Sequence, residues 1–363
     1  MGGRAVADGA GAAPTTTTRA AAIRGGSGAG AAIGYTHRVG DGGPVDDMAT
    51  ATNGTVTSGA AGSRARGDKL KYRWNHPETG VEARVYVGDC REIIPTIAEC
   101  RKGEVDLIFA DPPFNWNRAY DEWDDSLPRE DYLRFTEQWL DACIEALAPH
   151  GSLWVNIPDD TAAEIVMHLK RRGLVMVNWC IWHYRFGQNT TTRFINSKVH
   201  ALYFAKDPQR RVWNSGEILE ISDRASTYFD PRTERKNDGM PPGKRVPMDV
   251  WYGQYWGRIQ GNNKERRSRH DNQLPEVYLE RVVRACSNPG QLVMDPFLGS
   301  GTTGVIAHAL GRRFIGCEYS AANARSAVER MKQGPVRLGL AQNQSTAIFP
   351  ARRRRADKAS KEG

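Results

Sequence analysis

The sequence predicts an α/β protein built on a single doubly wound, seven-stranded, mostly parallel sheet. Three observations predict it. Seven apolar runs of strand length alternate with segments whose apolar residues recur at helical spacing. The run 292–320 reads as strand, glycine-rich turn, helix and strand, the unit from which parallel sheets are wound. No internal repeat breaks the alternation, and no apolar run approaches the roughly 18–20 residues that span a membrane.

The elements follow in order. VYVGD (85–89) is a strand that leads into the short helical stretch CREIIPTIAEC. VDLIFAD (105–111) has the length and density of a buried strand. REDYLRFTEQWLDACIEALAP (129–149) places Leu133, Trp139, Leu140, Cys143, Ile144 and Leu147 on one helical face, and Pro149 and Gly151 end it. SLWVNI (152–157) is a strand and TAAEIVMHLKRRG (161–173) a helix with a basic last turn. LVMVNWCIWHY (174–184) and KVHALYFAK (198–206) are strands. PEVYLERVVRACS (275–287), TTGVIAHALG (302–311) and AANARSAVERMK (321–332) are helices, interleaved with the strands LVMDPF (292–297) and RFIGCEYS (313–320).

Composition divides the 363 residues further. Residues 1–66 contain no Leu, Phe or Trp, cannot bury enough apolar surface to offset ordering, and read as a disordered tail in which Met48 is an alternative start. Residues 333–363 read as a basic disordered tail. The net charge of +8 is unevenly placed: +2 in 1–66, +6 in 331–363, and a local +6 within 224–269. One basic segment on a neutral body fits a polyanion that docks in one place. Six scattered cysteines without a CxxC pair, and eight histidines without HExxH or HxH spacing, give no metal site and no disulfide framework, and fit a reducing, cytoplasmic setting.

Two motifs carry chemistry. In ADPPF, an acid and two prolines follow a buried strand; proline fixes φ and donates no hydrogen bond, so the pair stiffens the strand exit and holds Asp111 and Phe114 in fixed relation. The second is DPFLGSGTTG, in which Gly299, Gly301 and Gly304 satisfy GxGxxG and Glu318 lies 19 residues after Gly299, at the end of the next strand. Glycine permits the tight turn and close ligand approach, and the acid can accept both hydroxyls of a ribose. No lysine follows the glycines, so this is not a P-loop. A nicotinamide dinucleotide remains open on the loop alone. Asp295 beside the turn can meet an ammonium, which S-adenosylmethionine has and a nicotinamide cofactor lacks.

ADPPFNWN early and DPFLGSGTT late, joined by a basic segment, closely resemble the β-arrangement of DNA amino-methyltransferases over residues 67–332. The resemblance implies a Rossmann-like methyltransferase fold, permuted so that a catalytic half (67–206) precedes a cofactor half (271–332), with a target-recognition segment (207–270) inserted. It implies S-adenosylmethionine as cofactor and transfer of its methyl to the exocyclic N6 amine of an adenine flipped from double-stranded DNA. Asp111 and the Pro112 carbonyl would accept the amine hydrogens, Pro113 would stiffen them, and Phe114 would stack on the base. Phe297, Gly299, Ser300 and Gly301 would line the cofactor, Thr302 and Thr303 would lie near its carboxylate, and Asp295 near its ammonium. Glu318 would take the ribose hydroxyls, with Asp89 and Cys90 flanking adenine or ribose.

By the resemblance, Asp first and Phe last in the tetrad are usual in adenine enzymes of this kind; cytosine N4 or an RNA base is the alternative, and a DNA-binding module without catalysis is the rival of another class. The candidates for DNA contact are Arg224, Arg232, Arg235, Lys236, Lys244 and Arg245. Trp251 reads either as a base-contacting aromatic or as a packed link between the halves, and residues 115–125 as a lid or a plain loop. Leu274 stands where the family often has Lys, and the chain ends soon after its last helix, without the extra domain of some solitary bacterial members. The expected partner is double-stranded DNA at the nucleoid, with no membrane; a homodimer is allowed, and a restriction partner is not legible.

Overall fold

The computed structural model describes residues 69–341 except 119–122, 185, 186, 188, 235–238, 268, 269 and 271. The tails expected over 1–66 and beyond 341 therefore lie outside the described residues. So do Arg235 and Lys236.

Eleven strands are described: β1 (Leu70–Asn75), β2 (Glu82–Val87), β3 (Val105–Ala110), β4 (Leu147–Ile157), β5 (Val175–His183), β6 (Lys198–Ala205), β7 (Glu220–Ile221), β8 (Lys244–Arg245), β9 (Val250–Trp251), β10 (Leu292–Asp295) and β11 (Arg313–Glu318). The helices are α1 (Cys90–Ile93), α2 (Ala98–Arg101), α3 (Arg129–Ala146), α4 (Asp159–Arg171), α5 (Asp223–Ser226), α6 (Glu276–Cys286), α7 (Thr302–Ala309) and α8 (Ala321–Gln333). Nine strands form one sheet in the order β1-β2-β11-β10-β3-β4-β6-β5-β9. The seven expected strands form its centre. Two additions flank them: β1, antiparallel to β2, and the two-residue β9, parallel to β5. β1 was not legible because its residues alternate between half-buried and exposed, without the apolar density of an inner strand.

β2, β11, β10, β3 and β4 run parallel, and β6 alone of the central seven is reversed, antiparallel to both β4 and β5. The strand residues point alternately into two cores. Leu107, Phe109 and Val293 enter a core closed by α6, α7 and α8, while Val105, Ile108 and Met294 enter one closed by α1 to α4. The helices of the first half thus cover one face and those of the second half the other. Ser320 caps α8 through the Asn323 amide, and Gly334 ends that helix.

One boundary differs from expectation. α3 stops at Ala146, and Leu147–Ile157 is a single strand with an irregular register against β3. Pro149, with no amide hydrogen, sits in that bulge, and Gly151 is required there, since a Cβ would lie 2.9 Å from the Val105 carbonyl. Residues 335–341, grouped with the tail from the sequence, run back over α6. The amides of Arg337, Gly339, Leu340 and Ala341 donate to the buried carboxylates of Glu276 and Glu280. Among the described residues no helix is long and apolar enough to cross a membrane.

Candidate active site

Because β2, β11, β10, β3 and β4 are parallel, their C-terminal ends converge on one edge of the sheet, where α/β proteins bind ligands. That edge carries Asp89 after β2, Glu318 at the end of β11, Asp295 at the end of β10 and Asp111 after β3. A cavity of about 510 Å³ lies there, within the usual range for small-molecule sites. Its walls include Asp111 and Pro113 on one side and Asp89, Cys90, Asp295, Phe297, Gly299, Ser300, Thr302, Thr303 and Glu318 on the other. Two motifs 184 residues apart, counting Asp111 to Asp295, share one cavity.

The glycine loop is shaped by contacts beneath it. Gly301 adopts φ +78°, and a Cβ there would meet Ala327 of α8 at 2.9 Å; it lies under the cavity wall rather than in it. At Gly304 a Cβ would fall 2.6 to 2.8 Å from Met331 and Phe314, so only glycine lets α7 approach α8 and β11 this closely. Glu318 closes the loop, accepting from the Gly299 amide at 2.8 Å and the Ser320 amide at 3.0 Å. The Asn323 side chain and the Tyr319 amide also favour its charged form, so the carboxylate is held by a ring of donors at the cavity wall. Below, Arg330 donates to the Ser300 carbonyl (3.1 Å) and the Thr302 hydroxyl (2.8 Å) and pairs with buried Glu276 at 3.0 Å. The Thr302 hydroxyl is thus engaged internally.

On the catalytic side, the Asn156 amide of β4 donates to Asp111 Oδ1 at 2.7 Å, and the Tyr278 hydroxyl of α6 donates to Asn156 Oδ1 at 3.2 Å. The tyrosine fixes which way the amide faces, so among the described residues Asp111 keeps Oδ2 available for a donor in the cavity. Tyr132 donates to the Pro113 carbonyl at 2.8 Å, and Pro112 is buried. Phe114 is half-buried between the two cores, edge-on to Trp116 at 5.3 Å. Asn156 and Tyr278 were missed from the sequence. Each sits on a regular element among apolar residues, where a polar group reads as incidental.

Burial dominates the electrostatics. It pushes Asp111 up to about 7, partly countered by the Asn156 amide and reinforced by Asp295. Burial likewise lifts Asp295 to about 7, although Thr303 and the Phe297 amide favour its charged form. Glu318 is raised for the same reason. Asp111, Asp295 and Glu318 have no ion-pair partner among the described residues. Three carboxyl groups lining one cavity without an ion-pair partner among the described residues suit an ammonium and hydroxyls.

The described parts of the loop after the tetrad, 115–118 and 123–125, are strapped together, and 119–122 lie outside the described residues. Asp125, 2% exposed, accepts from the amides of Asn115 and Trp116 at 2.9 Å and Arg118 at 3.0 Å. This lets Asn115 and Asn117 take positive φ, at 58° and 55°. Trp123 packs on Phe135 with ring centres 4.6 Å apart. Trp251 is 5% exposed and lies within a ring cluster with Trp154, Trp256 and Tyr278, so it is a packed link.

The basic candidates lie elsewhere. Arg224 and Arg232 both pair with Asp230, at 2.7 and 2.8 Å, and Arg245 pairs with Glu220 and Asp223, each at 3.1 Å. Lys244 is half-buried on β8. None of these lines the cavity.

The DNA methylase family of N6/N4 enzymes matches residues 105–329, spanning both motifs. This chain belongs to that family. The DNA methylase is 31% identical over 224 residues to the Type II methyltransferase M1.MboII of Moraxella bovis, a match covering 60% of this chain and 85% of that one. It is 29% identical over 274 residues to the DNA adenine methyltransferase YhdJ of Escherichia coli K12, covering 74% of this chain and 89% of YhdJ. The solved structure of the cytosine-N4-specific PvuII DNA methyltransferase superposes with a TM-score of 0.52 at 16% identity, over 68% of this chain and 86% of that one, and shows the shared fold.

Proposed function

We propose that this methylase transfers a methyl group from S-adenosylmethionine to the exocyclic N6 amine of an adenine flipped out of duplex DNA, within a particular sequence. The observation that carries the reading is the single cavity joining Asp111 and Pro113 to the glycine loop. The acceptor set fits the cofactor: Glu318 and Asp89 for ribose and adenine, and Asp295, without an ion-pair partner among the described residues, for the ammonium. When bound, S-adenosylmethionine supplies an activated methyl group.

The chain's own residues then do three things. Asp111 Oδ2 and the Pro112 carbonyl accept the two amine hydrogens, which turns the nitrogen lone pair out of the ring's conjugation and aims it. Phe114 offers a face to the base, whose amine is inaccessible inside the duplex. Asp111, lifted towards neutrality by burial, can share the proton that the amine gives up, and water carries it away. Adenine is favoured over cytosine by Asp and Phe at the ends of the tetrad, and YhdJ, an adenine enzyme by name, aligns over most of its length. A DNA substrate puts the work at the nucleoid.

Nucleoside mass spectrometry of DNA treated with protein and cofactor tests this. N6-methyladenine is expected, and none with Asp111→Ala. N4-methylcytosine alone would refute the adenine assignment, and an active Asp111→Ala protein would refute the mechanism.

A further inference from the structure

Residues 184–197 join β5 to β6, with 189–197 described as its continuous distal part, and the topology fixes where this loop emerges. β5 runs parallel to β4 with β6 reversed between them, so the end of β5 and the start of β6 lie at the edge that carries Asp111. The Tyr184 amide closes the stem on the Ser197 carbonyl at 2.8 Å. From β3 to β6 is two strand spacings, so the stem stands about 10 Å to the side of Asp111. A duplex is roughly twice that width, so one that presents a flipped base to Asp111 comes within reach of this loop. By contrast, residues 207–215 follow the far end of β6, where Asn214 is tied to Ala285 in the last turn of α6 and to Ser287 just after it, on the opposite edge. Arg210 and Arg211 are therefore remote from the cavity.

The composition of the loop suits DNA. Residues 184–198 contain Arg185, Arg193 and Lys198 and no acid. The Thr190 hydroxyl accepts from the Thr192 amide at 3.2 Å, which turns the chain at the tip. Beyond that turn Arg193 is exposed, and Phe194 is 97% exposed, the most solvent-exposed large apolar side chain among the described residues. Phe194 belongs to neither core cluster. Aromatic and aliphatic side chains that enter a base stack are a recurrent way to hold a duplex open.

We infer that this loop is a DNA-contacting element: Phe194 wedges into the base stack beside the extruded adenine, while Arg193 and the threonine hydroxyls hold the flanking phosphates. The inference rests on the proposed DNA methylation and adds the part of the chain that stabilises the opened duplex.

Its test compares two duplex oligonucleotides carrying the sequence found methylated in DNA treated with the wild-type protein. One is fully paired, and the other has a mismatch opposite the target adenine. A mismatched base is already cheap to extrude, so a wedge matters little there. Phe194→Ala is expected to lower kcat/KM at least about tenfold on the paired duplex and less than about threefold on the mismatched one. Phe194→Leu, still apolar, is expected to keep most activity on both, and S-adenosylmethionine binding by calorimetry is expected to be unchanged. Equal losses on the two duplexes, or no loss on either, would overturn the wedge while leaving the methylase reading intact. A wild-type protein that methylates no DNA would overturn both.

Discussion

Asn156 reaches Asp111 from the neighbouring strand at 2.7 Å and is itself oriented by the Tyr278 hydroxyl at 3.2 Å, so the carboxyl at the centre of the site is aimed from α6, on the far side of the sheet. Asn156→Ala is expected to reduce kcat by about 100-fold, the usual effect of misplacing a reacting group by about an ångström. Tyr278→Phe should act in the same direction but more weakly. The amide bond favours the charged carboxylate, so its loss should also move the acid limb of the kcat/KM profile to higher pH. That limb belongs jointly to Asp111 and to Asp295, both pushed to about 7. A pH–rate series on wild type and Asn156→Ala checks it, and unchanged limbs would remove Asn156 from the catalytic arrangement.

The same buried acid has a cost in stability. A carboxyl raised from 3.8 to about 7 in the folded protein holds a proton that the unfolded chain releases. Its contribution is therefore favourable at low pH and is lost as pH rises from about 4 to about 7. Asp111→Asn should remove activity yet raise the Tm at pH 8, with little change at pH 4. Thermal melts at the two values decide it, and a lower Tm at pH 8 would contradict the sign.

Asp125 organises the loop beyond the tetrad by collecting three backbone amides. Asp125→Ala leaves those donors without their acceptor and releases two asparagines from positive φ. The expected result is a fall in kcat with S-adenosylmethionine affinity, measured by calorimetry, preserved within about twofold. A cofactor affinity that collapses along with kcat would show that the strap supports the whole cavity.

Under the glycine loop, Arg330→Met leaves Glu276 buried without its cation. A broken buried pair destabilises by about 3–5 kcal/mol, although the Arg337 amide, which also donates to Glu276, softens the loss. Denaturant midpoints should fall accordingly. Loss of the Arg330 bonds to the Thr302 hydroxyl and the Ser300 carbonyl should loosen the loop and weaken cofactor binding in what remains folded.

Much of this was legible in the sequence because it depends on local rules. The seven central strands are dense in apolar residues, and the glycine loop obeys constraints of φ and close approach that only glycine meets, as Gly301 and Gly304 show. Asp111 stood out through the two prolines behind it. Polar residues whose partners lie far along the chain were not legible. Asn156 meets Asp111 45 residues away and Tyr278 122 residues away, and Asp125 looks from the sequence like one acid in an acidic run. Charge counting drew attention to Arg224, Arg232 and Arg245, but it could not reveal that Asp230 and Glu220 sit against them. Nor could it weigh loop 189–197, whose position depends on the reversal of β6.

The strand order also bears on how the protein is made. β3 pairs with β10 and β2 with β11, so strands adjacent early in the chain are separated in the sheet by two that are synthesised last. Until residues 292–318 leave the ribosome, the apolar strand VDLIFA has one open flank, a ready template for pairing with another chain. The nascent protein thus has neither a closed cavity nor a methyl-transfer site while that flank is bare. Its yield in a cell should depend on chaperones that shield the flank until those residues emerge.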